Sequence, residues 1–276
     1  MKKHSTKLWG AAILLAASVM LATPASAAVT WTDSDIVLAF RSSADPGNNV
    51  AYLVNIGDAS LFAPGASSIA NLNTFSGFGD IGADLVATFG TGAGSGTEWY
   101  NRSDLYWGLF STDTTQNPAV NWFSKAETTV GTAATSWGTR NNNSRNGAQS
   151  GVNSVTSTFS TATGTVNSNG KGFVQTNGAS TYDAQVSQAS DFGSLANFTG
   201  SGIEGNFANG TAGTALDLFK FTDSSTTTNL GSFSISNSGV VSFTAPAGVP
   251  EPSKAIFGMA GLATVFMRRR RPAARA

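Results

Sequence analysis

Two uncharged apolar segments stand at opposite ends of this chain, and they restrict what the residues between them can fold into. The first covers residues 8–23 and the second covers residues 255–267, and each lies beside a cluster of positive charge. An apolar run after lysines and before small residues is typical of a signal peptide, and an apolar run followed by arginines is typical of a membrane end. We therefore divide the 276-residue chain into three parts, namely 1–27, 28–248 and 249–276.

The N-terminal part has the features of a secretory signal peptide. Lys2, Lys3 and Lys7 precede the apolar run, and the small residues Ala25 and Ala27 follow it at the spacing of a cleavage site. We predict cleavage after Ala27. An uncleaved membrane anchor is the alternative, but the apolar run is shorter than the ~20 residues that span a bilayer.

The C-terminal part combines a proline motif, an apolar run of thirteen residues and four consecutive arginines, in that order. At about 1.5 Å per residue, a helix of this run spans the ~30 Å hydrocarbon core only if Lys254 and Arg268 extend towards the headgroups. Arginines beside a membrane segment remain on the cytoplasmic side. Residues 28–248, which we call the body, are therefore predicted to lie outside the cytoplasmic membrane. The motif residues are Val249, Pro250, Glu251, Pro252 and Ser253, and the cluster is Arg268, Arg269, Arg270 and Arg271.

This tail resembles the PEP-CTERM sorting signal of Gram-negative bacteria, although it covers under thirty of the 276 residues. The resemblance implies that exosortase, a membrane-embedded protease, processes the tail, which anchors the chain as a transmembrane helix until then. It also implies export to the cell surface or extracellular matrix, often together with exopolysaccharide and biofilm. The tail departs from the family pattern in its short apolar run, in Lys254 and in the extension 272–276, and these departures bear on the efficiency of processing. An ordinary stop-transfer anchor is the alternative.

Charge and two missing side chains limit the chemistry of the body. Residues 29–249 carry fifteen acidic and seven basic side chains, a formal charge of −8 that argues against nucleic acid or anionic lipid as partners. The chain has no Cys, and its single His, His4, lies in the predicted signal peptide. Histidine general bases, cysteine nucleophiles and zinc sites with nitrogen or sulfur ligands are therefore excluded from the body. No cofactor is expected except calcium, whose oxygen ligands the sequence does not identify.

The body is predicted to be mainly β, as a single β-sandwich-like domain with one or two short helices. Apolar residues spaced by four predict a helix over 81–89, and a weaker pattern predicts another over 182–189. The strand candidates are short apolar runs bounded by turn residues. They are 36–41 and 50–56, which are expected to form a hairpin, and 105–110 and 119–123.

The clearest hairpin lies near the end of the body. When Phe233 faces Phe243, the large apolar side chains of both alternating strands lie on one face. The same register places Ile235 opposite Val241 and leaves a three-residue loop. That loop ends in Gly239, at the position where a bulged turn needs a left-handed residue.

Residues 128–181 are rich in Ser, Thr, Asn and Gly and poor in large apolar residues. We favour mostly ordered, solvent-facing strands, for example over 152–159, because Thr and Val have high β-propensity. Long polar loops or disorder are the alternative.

Two acid pairs, Asp33 with Asp35 and Asp80 with Asp84, are candidates for carboxylate chemistry. A glycosidase needs two carboxyl groups facing each other across ~5–10 Å, which spacing along the chain does not establish. Solvated acids at strand edges are the more common outcome, and calcium ligation is a third interpretation. Residues 77–82 match the dinucleotide pattern G-x-G-x-x-G, but no βαβ unit surrounds them. We interpret them as a turn before the predicted helix.

Trp99 and Tyr100 follow a glycine-rich run and are flanked by Glu98, Asn101 and Arg102. On a loop, these groups would stack on a sugar ring and hydrogen-bond its hydroxyls. The alternative, which we favour, is that both aromatic residues begin a strand and are buried.

We therefore expect a non-catalytic, exported surface or extracellular-matrix protein that is sorted through its tail. Its expected partners are an exosortase-type protease and extracellular polysaccharide. A carbohydrate-binding module or adhesin is the alternative, and a carboxylate-dependent glycosidase or lyase is the least favoured reading.

Overall fold

The computed structural model describes residues 29–44, 47–75, 77–90, 98–129, 131–138, 140–162, 170–186, 192, 202–207, 214–222 and 227–246. The predicted signal peptide and the predicted sorting tail lie outside these residues. The strands are β1 (Asp35–Ser42), β2 (Val50–Asp58), β3 (Leu105–Asp113), β4 (Val120–Ala126), β5 (Gly172–Thr176), β6 (Glu204–Asn206), β7 (Leu216–Phe221), β8 (Thr227–Ile235) and β9 (Val241–Thr244). The helices are α1 (Ile81–Phe89), α2 (Asn142–Thr156) and α3 (Tyr182–Val186), with 3-10 turns at Ala59–Phe62, Leu72–Thr74, Trp99–Asn101 and Ser157–Thr161.

The described strands form one antiparallel sheet in the order β5-β2-β1-β3-β4-β7-β8-β9, with β6 paired to β3. The prediction of a mainly β fold is confirmed. The sheet is curled, as two contacts of α1 show. The turn between β8 and β9, at one end of the sheet, touches α1. The same helix is hydrogen-bonded to β2, near the other end, through Asp84 and Tyr52. Hydrogen bonds join the described strands into this one sheet, which carries apolar residues on both of its faces.

Alternation along the strands gives each face of the sheet its own core. In β1, Leu38 belongs to the core on the α1 face, and its neighbour Val37 belongs to the core on the α2 face. Leu85 of α1 closes the first core and Val152 of α2 closes the second. Because successive side chains of a strand point to opposite faces, a continuous apolar run such as 36–40 must be covered on both sides.

The predicted hairpins have the expected pairing. β1 pairs with β2 in antiparallel register, which confirms the hairpin predicted for 36–41 and 50–56. In the last hairpin Phe233 is opposite Phe243 and Ile235 is opposite Val241, and Gly239 has a φ of +78°. The predicted helix over 81–89 is confirmed as α1. The weaker helix is confirmed over Tyr182–Val186, while 187–189 lie outside the described residues.

The prediction of a strand over 152–159 is wrong, because this segment forms the end of α2 and the 3-10 turn Ser157–Thr161. Four apolar residues of this segment recur at intervals of four, three and four, namely Ala148, Val152, Val155 and Phe159. All four are buried in the core between α2 and the sheet. The side chain of Asn141 accepts a hydrogen bond from the Ser144 amide at 2.8 Å and caps the helix. Helical spacing with tertiary burial therefore outweighed the β-propensity of Thr and Val.

Candidate functional site

The first acid pair divides between two structural roles. Asp35 Oδ2 accepts hydrogen bonds from the Thr32 hydroxyl at 2.8 Å and from the Asn55 amide at 2.8 Å. Asp35 therefore ties the turn before β1 to β2. Asp33 Oδ2 accepts a hydrogen bond from the Thr114 hydroxyl at the end of β3. The two carboxylates are thus each held by different partners.

The second acid pair is split between the helix end and the core. Asp80 Oδ1 accepts from the Ala83 amide at 3.0 Å and caps α1. Asp84 is fully buried and accepts a hydrogen bond from the Tyr52 hydroxyl at 2.5 Å. A cap and a core carboxylate do not flank a substrate. Within the described ranges, no group of three or more Asp, Glu, His or Cys side chains is placed to hold a metal ion.

The glycine pattern at 77–82 serves packing. Gly77 adopts a φ of +86° in the turn before α1. A methyl group on Gly82 would lie 2.4 Å from the Ser238 carbonyl oxygen, in the turn of the last hairpin. Gly82 is therefore needed for close contact between α1 and that turn, a role that the sequence pattern did not reveal.

Trp99 and Tyr100 form a 3-10 turn before β3 and do not begin the strand. Trp99 is 2% exposed, and its ring meets that of Phe207 edge-on at 5.3 Å. This burial favours the core alternative for Trp99, because a sugar ring needs an open aromatic face. Tyr100 is half-buried and packs edge-on against Trp99 at 5.4 Å.

The adjacent Arg102 is a structural clamp. It is 4% exposed and donates hydrogen bonds to the Phe89 carbonyl at 2.7 Å, the Ser42 hydroxyl at 2.7 Å and the Ala44 carbonyl at 3.0 Å. Its guanidinium also pairs with Asp104. Burial alone would raise the pKa of Asp104, but the hydrogen bonds from Arg102 and Ser42 lower it overall. Arg102 thereby joins the end of α1 to the end of β1.

A second buried charge cluster fastens β6 and α3 to the sheet. Arg41 of β1 donates to Glu204 at 2.9 Å and 2.6 Å and pairs with Asp183 at 3.3 Å. The Tyr182 hydroxyl donates to Glu204 at 2.9 Å. Burial raises the pKa of Glu204; burial would lower the pKa of Arg41, but the carboxylate of Glu204 raises it overall. Each charged group is occupied by another protein group, so the cluster is structural.

The largest of the three clefts described below, which we call the Trp31 cleft, encloses about 580 Å³. Its wall is formed by residues 29–33, by the turn after β3, and by the end of α2 with the 3-10 turn that follows it. Its floor is apolar, because Val29 and Phe159 are buried there and Trp31 packs against the same core. The lining residues are Val29, Thr30, Trp31, Asp33, Thr114, Asn153, Thr156, Ser157, Phe159 and Ser160.

Trp31 is the partly buried aromatic residue of this cleft. Its indole N–H donates to the Asp35 carbonyl at 2.9 Å, which fixes one edge of the ring, and the residue remains half-buried. Asp33 is the only charged residue among the described lining residues. No local signal in the sequence could have joined Trp31 to Asn153, because only the tertiary fold brings these residues together.

Two smaller clefts have functional groups that are less accessible to a ligand. One of about 420 Å³ includes Trp122, but this side chain is 5% exposed and the Lys220 ammonium covers its ring at 5.5 Å. The other, of about 470 Å³, contains Glu127 and Asp217. Burial raises the pKa of Asp217; the Ala134 amide donates to it and partly offsets this effect, and the neighbouring Glu127 adds to it.

No protein-family model, curated protein or solved structure matches this chain. In the part of the chain that the structure describes, no helix is long and apolar enough to cross a membrane.

Proposed function

We propose that this chain is a non-catalytic protein of the bacterial surface or extracellular matrix, exported by its signal peptide and sorted through its PEP-CTERM-like tail. The observation that carries the proposal is the order of three features at the C-terminus: proline motif, apolar run and arginine cluster. The protease partner follows from the tail, and the polysaccharide partner follows from the matrix location. The proposal includes a single β-sandwich-like domain as the exported body.

The roles of the acidic side chains support a non-catalytic body. Asp80 caps a helix, Asp84 bonds a core tyrosine, and Asp35 ties a turn to the sheet. The buried Glu204 is held by Arg41. These carboxylates are engaged in holding the fold, and general acid–base catalysis needs a carboxyl group that is open to substrate.

The proposal is tested by the intact mass of the protein from separated membrane and secreted fractions of a Gram-negative host that carries an exosortase. We expect a secreted species that begins near Ala28 and ends near Pro250. Replacement of Pro250, Glu251 and Pro252 by alanine is expected to leave the tail uncut and the chain in the membrane. Substitution of Pro272 by alanine, beyond the arginines, is the control. Normal processing of the motif variant would contradict sorting through this tail.

A carbohydrate-binding module is the second candidate, and the Trp31 cleft is the observation that favours it. The cleft has an apolar floor, the half-buried Trp31 and several polar groups at its wall. This combination is typical of sites for small polar ligands that also have an apolar face.

A further inference from the structure

We propose that the Trp31 cleft binds one pyranose ring of a neutral polysaccharide. The proposal deepens the carbohydrate-binding candidate and rests on it. It moves the sugar site from Trp99 and Tyr100, which lie on the α1 face, to the cleft beside α2.

The first step of the argument is the aromatic surface. A pyranose ring has an apolar face of C–H groups, which gains free energy when it leaves water to lie on an aromatic ring. Trp31 is half-buried, and its indole is fixed by the hydrogen bond to the Asp35 carbonyl. A fixed ring loses little conformational freedom when a ligand stacks on it. Trp99 and Trp122, at 2% and 5% exposure, have no comparable open surface.

The second step is the supply of hydrogen-bonding groups. Asp33 Oδ2 is occupied by Thr114, while its other oxygen, Oδ1, has no partner among the described residues. Within the same described part, the side-chain amide of Asn153 also has no hydrogen-bond partner, although it lines the cleft. A carboxylate accepts from a sugar hydroxyl, and an amide both donates and accepts. Neighbouring hydroxyls of one sugar ring supply these complementary groups.

The hydroxyl groups of the 3-10 turn add acceptors. Ser157 Oγ donates to the Ser154 carbonyl at 2.8 Å, and Ser160 Oγ donates to the Ser157 carbonyl at 2.8 Å. Their protons are therefore committed to the backbone, and their lone pairs remain for donors from a ligand. This arrangement suits a polyhydroxyl ligand, which brings its own donors.

Charge decides between classes of polysaccharide. Asp33 is the only charged group among the described lining residues, and residues 29–249 carry a formal charge of −8. A uronate or sulfated sugar would place a second negative charge beside Asp33 without a cation to balance it. The cleft volume of about 580 Å³ lies within the range of small-molecule sites, roughly 300–1,000 Å³. The inferred ligand is therefore neutral.

The test is a titration of the purified full chain, followed by tryptophan fluorescence and calorimetry. The probes are neutral hexasaccharides of glucose, mannose and galactose, with hexagalacturonic acid as the acidic probe. We expect at least one neutral probe to bind and the acidic probe not to bind. Absence of binding by all neutral probes, or binding of the acidic probe alone, would overturn the proposal.

Variants place the ligand in the cleft. Trp31→Ala is expected to weaken binding of the neutral probe at least tenfold, and Trp31→Phe, which keeps an aromatic ring, to weaken it less. Asn153→Ala is expected to weaken binding several-fold without loss of the fold. Asn143→Ala is its matched control, because Asn143 is exposed on the same helix and does not line the cleft. Equal binding by Asn153→Ala and wild type, with Trp31→Ala folded and also unaffected, would exclude this site.

The outcome is separate from that of the sorting experiment. Fractionation and intact mass report export and processing, whereas the titration reports binding by a purified chain. A chain that is processed but binds no neutral sugar would retain the matrix proposal and lose the cleft proposal. A chain that binds but is never cut would do the reverse.

Discussion

Gly82 and Gly239 meet where the first turn of α1 contacts the turn of the last hairpin. A methyl group on Gly239 would lie 2.3 Å from the Gly82 Cα atom, and one on Gly82 would lie 2.4 Å from the Ser238 carbonyl oxygen. The contact brings β8 and β9 close to a helix that is bonded to β2, so it closes the curl of the sheet. Two glycines far apart in the sequence thus lie in close contact where the curled sheet brings α1 to the last hairpin.

Gly82→Ala is expected to destabilise the fold by about 2 kcal/mol, since backbone on both sides must shift to admit the methyl group. Urea unfolding of the purified chain measures this change. Gly178→Ala is the control, because its methyl group would meet only the Thr181 side chain at 3.8 Å. Equal stability of the two variants would contradict the close contact.

Arg102→Met is expected to cost about 3 kcal/mol of unfolding free energy, because it leaves the Phe89 carbonyl without its side-chain donor and Asp104 without its cation. Arg102→Lys keeps the charge but not the forked geometry, and we expect an intermediate loss. Thermal and urea unfolding of the three chains provide the comparison. A lysine variant as stable as wild type would show that charge alone suffices.

We expect Asp217 to make the stability of the body dependent on pH. Burial raises its pKa in the folded chain, whereas the pKa of an unfolded Asp is ~3.9. Between these two values the folded state holds a proton that the unfolded state has lost. Stability therefore falls as pH rises through this window and is constant above it.

Asp217→Asn removes this loss and keeps an oxygen for the Ala134 amide. We expect the variant to be at least as stable as wild type at pH 7, with a smaller change in stability above pH 4. Asn143→Ala, at an exposed residue without a titratable group, is expected to retain the wild-type pH profile. Urea unfolding across pH 4–8 measures the profiles, and a wild-type profile in the Asp217 variant would refute this assignment.

Val152→Ala is expected to destabilise the fold by about 2 kcal/mol, because Val152 is fully buried between α2 and the sheet. Ser154→Ala, on the outer part of the same helix, is expected to be neutral or slightly stabilising, since alanine favours helix. Unfolding measurements test the energies, and NMR secondary shifts over 142–156 test the helix itself. Strand-like shifts in this segment would reinstate the strand prediction.

Much of the sheet could be predicted from local pattern. The runs 36–41 and 50–56 are apolar throughout and lie next to turn residues, and the structure pairs them as expected. The register of Phe233 with Phe243 follows from alternation alone, since a slip by one residue would move each side chain to the wrong face. The helix over 81–89 follows from apolar residues that recur every four positions.

The strand prediction for 152–159 overlooks a helical signal that the sequence of α2 contains. Ala148, Val152, Val155 and Phe159 have helical spacing, but they are small or widely separated among Ser, Thr and Asn. Weak local preferences of this kind are decided by the surface against which they pack. Here the sheet face of Phe110 and Phe123 supplies that surface.

The sequence by itself determined which segments alternate or run apolar, which residues turn the chain, and which catalytic side chains the body lacks. These properties depend on neighbouring residues or on composition, so they can be established without knowing which distant residues are in contact. Only the tertiary structure decided that both faces of one curled sheet are covered, that Gly82 must meet Gly239, and that Trp31 lies beside Asn153. The physical reason is that burial and hydrogen bonding depend on groups distant in the chain, whose meeting is set by packing of the whole fold.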